Sequence, residues 1–139
     1  MLESTAAWFI QNDQLVSITR RTPAPVDTTS ALANVTAGVT VAEGARGLRS
    51  AIPDPSMITG SEKSGGTATV QLAGEFVDIP AADQIWALGQ IVYTLTDLRG
   101  VGRVRFEIAG EAIAVPLPGG DSTKDSTSRD DFAQLASPG

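Results

Sequence analysis

Any chemistry in this chain must rely on carboxylates, basic side chains and hydroxyls, because the sequence contains neither histidine nor cysteine. Triads that use an imidazole base, and zinc sites built from imidazole or thiolate ligands, are therefore excluded. Two pairs of acids could support glycoside hydrolysis, Glu107 with Glu111 and Asp130 with Asp131. Adjacent acids on a short terminal helix point in different directions, so a solvated acidic surface is the better interpretation. We predict no catalytic residue and no cofactor.

A metal site is not predicted either. Asp121 begins a stretch rich in Asp, Ser and Thr, but Thr123 stands at its third position and Ser126 at its sixth, where a calcium-binding EF-hand loop needs glycine. A flexible segment is the better interpretation of this stretch.

Two arginines are the candidate binding residues. Arg46 and Arg49 flank a glycine within a long loop, and loops are where binding residues concentrate. In one interpretation both guanidiniums form an anion or partner site. In the other, Arg49 pairs with a carboxylate to hold the loop down, Leu48 and Ile52 fill the core, and only Arg46 contacts a partner.

Two tryptophans could stack on a sugar ring. Trp8 and Trp86 both lie in apolar runs, for which packing in the core is the ordinary arrangement. A glycan-binding surface is therefore an alternative to the core interpretation.

Length and charge narrow the class of protein. A chain of 139 residues suits one domain. The formal charge of -6 opposes binding to nucleic acid or to an anionic lipid surface. The longest uncharged stretch is too short to cross a bilayer, so no membrane span is predicted.

The first half of the sequence predicts a hairpin and a helix. Runs rich in apolar and β-branched residues over 6–10 and 15–20 flank a polar turn, which is typical of two antiparallel strands. Residues 31–37 predict a short helix that Gly38 can end. Residues 39–55 have no clear period and predict a structured loop.

The second half predicts two strands, a long helix and a further strand. Strands are expected over 56–62 and 67–73, a helix from residue 80 or 81 to 98, a strand over 101–109 and a last short strand over 112–115. The resulting order, ββα(loop)ββαβ, predicts an α+β fold in which a small mixed sheet is covered by two helices. The apolar stripe of the long helix should pack on the sheet. The stripe consists of Ile85, Leu88, Val92 and Leu95, and the facing sheet residues are Val70, Leu72, Val104 and Phe106.

Composition divides the chain into three parts. Residues 1–118 form the predicted core of the domain. Residues 119–127 are rich in Gly, Ser, Thr and Asp and predict a flexible linker. Residues 128–139 predict a helical turn and tail that dock on the core through Phe132 and Leu135.

Several stretches together resemble the GerMN domain family. The most specific are residues 42–53 (AEGARGLRSAIP) and residues 90–98 (QIVYTLTDL), which run on into 101–106 (VGRVRF). Residues 68–72 (ATVQL) and 128–135 (SRDDFAQL) add weaker support. The resemblance covers nearly the whole chain. GerMN domains are named from sporulation and germination proteins and also occur in actinobacterial envelope lipoproteins.

The resemblance implies a location and a class of function. Family members are typically secreted or lipid-anchored, so we expect an extracytoplasmic protein whose full-length form carries a signal and a lipid anchor. The expected function is a noncatalytic binding or assembly module of the bacterial cell envelope, with an envelope protein or its own copies as partner. The first alternative is a binder of a small ligand or a peptidoglycan or other glycan fragment. The second alternative, a hydrolase with paired carboxylates, has the least support.

Overall fold

The chain begins with a long antiparallel hairpin. The computed structural model describes residues 1–52 and 54–136, and in it β1 (Leu2–Gln11) pairs with β2 (Gln14–Pro23) without a break in register. Asn12 and Asp13 form the two-residue turn, with φ values of 52° and 60°. Hairpin turns of this kind need the left-handed backbone conformation at both residues, which Asn and Asp tolerate better than most residues do. The predicted hairpin is confirmed, and both strands extend beyond the predicted residues.

Two short helices follow the hairpin. α1 (Thr28–Thr36) begins at Asp27, whose carboxylate accepts a hydrogen bond from the Ser30 amide at 2.8 Å, while the Ser30 hydroxyl accepts one from the Asp27 amide at 3.0 Å. This reciprocal cap satisfies amides that the helix itself leaves unpaired. α2 (Val41–Ala45) begins with the same kind of cap. The first part of the predicted loop is therefore a helical turn.

A mixed sheet dominates the second half of the fold. Its strands lie in the order β3 (Ile58–Ser64), β4 (Thr67–Leu72), β5 (Arg103–Ile108) and β6 (Glu111–Ala112). β4 and β5 run parallel and are joined by α3 (Ala81–Thr96), whereas the other neighbours are antiparallel. A parallel pair needs such a crossover because its strands run in the same direction. The predicted α+β fold with a mixed sheet is confirmed.

α3 is the central element of the core. Every residue from Ala87 to Leu95 is buried, so this part of the helix is enclosed by β1, α1, β5, β7 (Val115–Pro116) and the C-terminal turn. Leu88, Val92 and Leu95 are buried as predicted, and so are the sheet residues Val70, Leu72, Val104 and Phe106. Ile85 is only half-buried, because it lies in the first turns of α3, before the helix enters the core.

Residues 119–127 are tied to the body of the domain, which corrects the expectation of a flexible linker. β8 (Ser122–Thr123) pairs with β7, and Thr127 exchanges two backbone hydrogen bonds with Val104 of β5. The buried Thr127 hydroxyl also donates to the Val104 carbonyl at 3.0 Å. Thr127 can pair with β5 because β6 covers only the end of that strand. The first half of β5 is left with an open edge, which Thr127 occupies.

The C-terminal turn lies against α3. Residues 129–132 form a 3-10 turn that continues into α4 (Ala133–Ala136), and Phe132 and Leu135 are buried. A Cβ atom added at Gly89 of α3 would lie 2.9 Å from a Leu135 methyl group. Glycine at this position therefore makes room for the turn. Pro53, and residues 137–139 of the predicted tail, lie outside the described residues.

Among the residues described, none of the helices has both the length and the apolar character needed to cross a membrane.

Candidate functional site

The loop that carries the candidate arginines is held to the hairpin by an ion pair between Glu43 and Arg20. The two carboxylate oxygens of Glu43 accept hydrogen bonds from the Arg20 guanidinium at 2.6 and 2.7 Å. This bidentate geometry fixes the orientation of both groups. Glu43 also accepts a hydrogen bond from the Thr40 amide at 2.9 Å, and its side chain is only 9% exposed. The Arg20 hydrogen bonds, followed by that from Thr40, lower the pKa of Glu43 to about 2.

Backbone and apolar contacts anchor the rest of the loop. The Arg49 amide donates to the Ile10 carbonyl and the Ile10 amide donates to the Arg49 carbonyl, both at 2.9 Å. Leu48 and Ile52 are buried in the core. The loop therefore pairs with the edge of β1, and the apolar anchors expected from the sequence are in place.

The side chains of Arg46 and Arg49 are both exposed. Within residues 1–52 and 54–136 neither takes part in an ion pair. The pair that holds the loop down is Arg20 with Glu43, which corrects the interpretation in which Arg49 does so. Sequence spacing could not reveal that pair, because hairpin geometry brings Arg20 to a helix that follows it in the chain. The loop thus presents two guanidinium groups that have no ion-pair partner among the described residues, on a backbone that is held in place.

The Glu43 pair makes the stability of the protein sensitive to acid. Because the pKa of Glu43 in the folded protein lies below its ordinary value of 4.5, the pair contributes fully above that pH, and its contribution is lost as the pH falls toward about 2. Glu43→Gln should therefore be less stable than the wild type by about 1 to 2 kcal/mol near neutral pH, a value reduced for partial solvent screening. The two proteins should become similar near the acid limit. Urea unfolding across this pH range measures the difference.

Glu62→Gln, on the exposed surface of β3, is the matched control for that experiment. It should follow the wild type at every pH. A constant difference between Glu43→Gln and the wild type across the whole range would show that the Arg20 contact does not depend on the charge of Glu43.

A second polar cluster joins the C-terminal turn to β1 and α3. Arg129 donates to the Thr96 hydroxyl at 2.7 Å, to the Tyr93 carbonyl at 2.8 Å and to the Asp97 carboxylate at 2.5 Å. Its guanidinium carbon lies 4.7 Å from the centroid of the Tyr93 ring and 5.4 Å from that of the Trp8 ring. The Trp8 indole donates to the other Asp97 oxygen at 2.6 Å. Trp8 is therefore half-buried in a polar cluster rather than enclosed in the core.

This cluster neutralises the C-terminal end of α3. The last carbonyl groups of a helix carry partial negative charge and favour a nearby cation. α3 has no basic residue in its last turn, and Arg129 supplies the charge from outside the helix. The spacing of residues along the chain does not reveal this contact. The missing basic residue in the last turn was the available signal that a cation from elsewhere would be needed.

A depression of about 530 Å³ opens beside the cluster. Trp8, Asp97 and Arg99 line it, together with small hydroxyl side chains of the hairpin. An aromatic ring can stack on the apolar face of a sugar, while carboxylate, guanidinium and hydroxyl groups can hydrogen-bond to its hydroxyls. This surface has the chemistry of a shallow glycan site.

The acids considered for hydrolysis do not converge. Glu107 and Glu111 occupy neighbouring rungs of the β5–β6 ladder, so their side chains lie on opposite faces of the sheet. Asp131 caps the C-terminal turn by accepting a hydrogen bond from the Ser128 amide at 2.9 Å, and Asp130 is exposed. Over the described part of the chain, acidic side chains form no cluster of three or more that could hold a metal ion.

The hairpin, the buried crossover helix and the mixed sheet define an α+β domain of the GerMN type. The family model Germane, described as "Sporulation and spore germination", matches residues 7–114. The chain belongs to this family. None of the curated proteins matches the sequence.

Solved structures share the fold. Tandem GerMN domains of the sporulation protein GerM from Bacillus subtilis match 94% of this chain with a TM-score of 0.71 and 20% identity, and the chain spans 48% of that two-domain structure. The first GerMN domain of the same protein matches 93% of this chain and 99% of its own, with a TM-score of 0.66 and 19% identity. A protein from Clostridium perfringens described as a "putative lipoprotein" matches 99% of this chain and 95% of its own, with a TM-score of 0.61 and 11% identity.

Proposed function

We propose that this chain is a noncatalytic, extracytoplasmic binding or assembly module of the bacterial cell envelope. The observation that carries the proposal is the anchored loop. Its backbone is fixed by Glu43, Arg49 and two buried apolar residues, while the guanidiniums of Arg46 and Arg49 face solvent. A preorganised loop loses little conformational entropy on binding, which favours the capture of a partner.

The family supports the location in the envelope. The family is described by sporulation and spore germination, and the fold is shared with a sporulation protein and with a protein described as a lipoprotein. In this proposal the natural protein is secreted or carries a lipid anchor, and its partner is an envelope protein or a second copy of the chain.

Removal of both loop arginines should weaken the capture of partners. We expect Arg46→Ala/Arg49→Ala to retain about tenfold less partner protein from a bacterial envelope extract than the wild type, because two charged contacts together supply roughly 1.4 kcal/mol. The melting temperature should not change, since both side chains are exposed. Quantitative pulldown and a melting curve measure the two effects.

Arg105→Ala/Lys124→Ala is the matched control. It removes the same two positive charges from exposed positions elsewhere on the domain and should capture the partner as the wild type does. Equal capture by all three proteins would refute a role for the loop.

The depression beside Trp8 favours a second candidate function, the binding of peptidoglycan or related glycan fragments. It combines an aromatic ring with the charged groups of Asp97 and Arg99. The two candidates separate in a titration with soluble peptidoglycan fragments. In a Trp86→Phe variant, Trp8 is the remaining tryptophan, so a saturable change in its fluorescence would favour the glycan site and no change would favour the protein partner.

A further inference from the structure

The outer edge of β2 is a long row of backbone groups that point away from the hairpin. Gln11 and Gln14 flank the two-residue turn, so the hydrogen-bonded pairs of the hairpin alternate from that point. The residues between those pairs direct their N–H and C=O groups outward. On β1, Ile10 and Trp8 are two of these residues. The N–H and C=O groups of both have hydrogen-bond partners in the anchored loop or in α3.

The same alternation directs a second row of backbone groups outward on β2. The residues concerned are Leu15, Ser17, Thr19 and Arg21. Across residues 1–52 and 54–136, their outward backbone groups accept or donate no hydrogen bond. Ser17, Thr19 and Arg21 are also exposed. A strand edge of this kind is a template for pairing with another strand.

β3, the edge strand of the mixed sheet, has an irregular register and a lysine, whereas β2 has a regular register and carries arginines near one end. The β3 ladder shifts register between Ile58 and Gly60, and the strand carries Lys63. Irregular registers and lysines are devices that discourage edge pairing. The β2 ladder runs unbroken over ten register positions, and its only proline is its last residue, Pro23. The two edges therefore differ in their readiness to accept a strand.

We propose that β2 pairs antiparallel with β2 of a second copy of this chain, about a two-fold axis at Ile18. This inference rests on the proposed assembly function and names its partner. The new ladder joins the two hairpins into one four-stranded sheet. In this register Ile18 lies opposite the partner's Ile18, Ser17 opposite the partner's Thr19, and Val16 opposite the partner's Arg20.

The distribution of charge favours this arrangement. The charged residues of β2, Arg20 and Arg21, both lie near one end of the strand. Antiparallel pairing therefore separates the two pairs of arginines, whereas parallel pairing would place like charges side by side. Asp13 in the hairpin turn lies on the diagonal to the partner's Arg21, and both residues are exposed. Unlike charges in this relation stabilise cross-strand pairing.

The side chains at the centre also suit a self-contact. Val16 and Ile18 are half-buried in the single chain. In the pair, Ile18 gains an apolar neighbour in the partner's Ile18. The anchored loop lies on the β1 side of the hairpin, so this contact and the Arg46–Arg49 surface are separate.

Single cysteines test the register, because the natural sequence contains none. Ile18→Cys should form a disulfide-linked dimer under mild oxidation at a yield about tenfold above that of Ser17→Cys or Thr19→Cys. In the proposed register only residue 18 faces its own copy. Opposed residues of a pair without backbone hydrogen bonds lie about 4.5 Å apart at Cα, within the reach of a disulfide. Glu62→Cys on the β3 edge measures the yield of random collisions.

A second measurement uses the protein without cysteine. Sedimentation of the wild type over about a hundredfold range of concentration should show a reversible monomer–dimer equilibrium. Ser17→Lys places a charge on the β2 edge and should abolish the dimer while the far-UV circular dichroism spectrum remains unchanged.

Three outcomes would overturn the inference. They are equal cysteine yields at positions 17, 18 and 62, a preference for position 17 or 19, and a wild type that stays monomeric throughout. If the monomer nevertheless captured an envelope protein and Ser17→Lys lost that capture, the edge would accept a strand from a different protein. Failure of self-pairing would leave the Arg46–Arg49 pulldown unaffected, so the two experiments distinguish failure of this inference from failure of the proposed function.

Discussion

Phe132→Ala is expected to lower the free energy of unfolding by about 3 to 5 kcal/mol, as the loss of a fully enclosed aromatic side chain does in other proteins. The Phe132 side chain has no exposed surface. It packs with Leu135 against Gly89 of α3, and this contact has little free space. The substitution creates a cavity between the C-terminal turn and the helix, and urea unfolding measures its cost.

The location of Phe132 gives this prediction a wider meaning. The family match ends at residue 114, so the turn that carries Phe132 lies beyond it. A large loss of stability shows that residues 115–136 belong to the cooperative unit of the fold. Val77→Ala, at a side chain that is 62% exposed, should change stability by less than about 0.5 kcal/mol. If Phe132→Ala behaved like this control, the C-terminal turn would be a detachable addition to an independently stable core.

Gln90→Met is expected to lower the free energy of unfolding by about 2 to 4 kcal/mol, because it leaves buried polar groups without partners. Gln90 has no exposed surface. Its amide nitrogen donates to the Trp8 carbonyl and to the Ser50 hydroxyl, both at 3.1 Å, and its oxygen accepts a hydrogen bond from the Ala51 amide at 2.8 Å. Methionine keeps the size of the side chain and removes all three bonds.

The measurement for Gln90 has a matched control in the same chain. Gln134→Met alters an exposed glutamine of α4 and should leave stability within about 0.5 kcal/mol of the wild type. Hydrogen exchange adds a local test, since the Ala51 amide should lose protection in Gln90→Met more than amides of β4 do. Unchanged protection at Ala51 would mean that another group replaces the glutamine.

Gln90 also shows why an amphipathic pattern is an incomplete description of α3. The periodic apolar residues predicted one buried face, and that face is buried except at Ile85 in the first turns. The remaining sides of the helix are enclosed as well, because β1 lies along it with its outward backbone groups toward Gln90 and Thr94. Those polar side chains supply the hydrogen bonds that a neighbouring strand would otherwise make with β1. Nothing in the local pattern distinguishes them from polar residues that face solvent.

The anchored loop is predictable in part. Leu48 and Ile52 were expected in the core because apolar side chains in a loop need burial, and they are buried. One of the two interpretations has Arg49 pair with a carboxylate to fix the loop, whereas in the structure Arg20 and Glu43 form the ion pair that does so. The ion pair depends on how the hairpin lies relative to α2, which spacing along the chain does not encode.

The sequence by itself determined the order of the main elements from the hairpin to β5, the mixed sheet and the long crossover helix. These follow from local preferences and from one-sided burial, both of which leave a period in the residues. The tertiary structure alone decided which distant polar groups meet. Thr127 completes the open edge of β5, Arg129 caps α3, and β2 has an outer edge that no other described residue pairs with. Each of these outcomes depends on the position and register of elements far apart in the chain, because a backbone group is satisfied by whatever partner the packing brings within hydrogen-bonding distance.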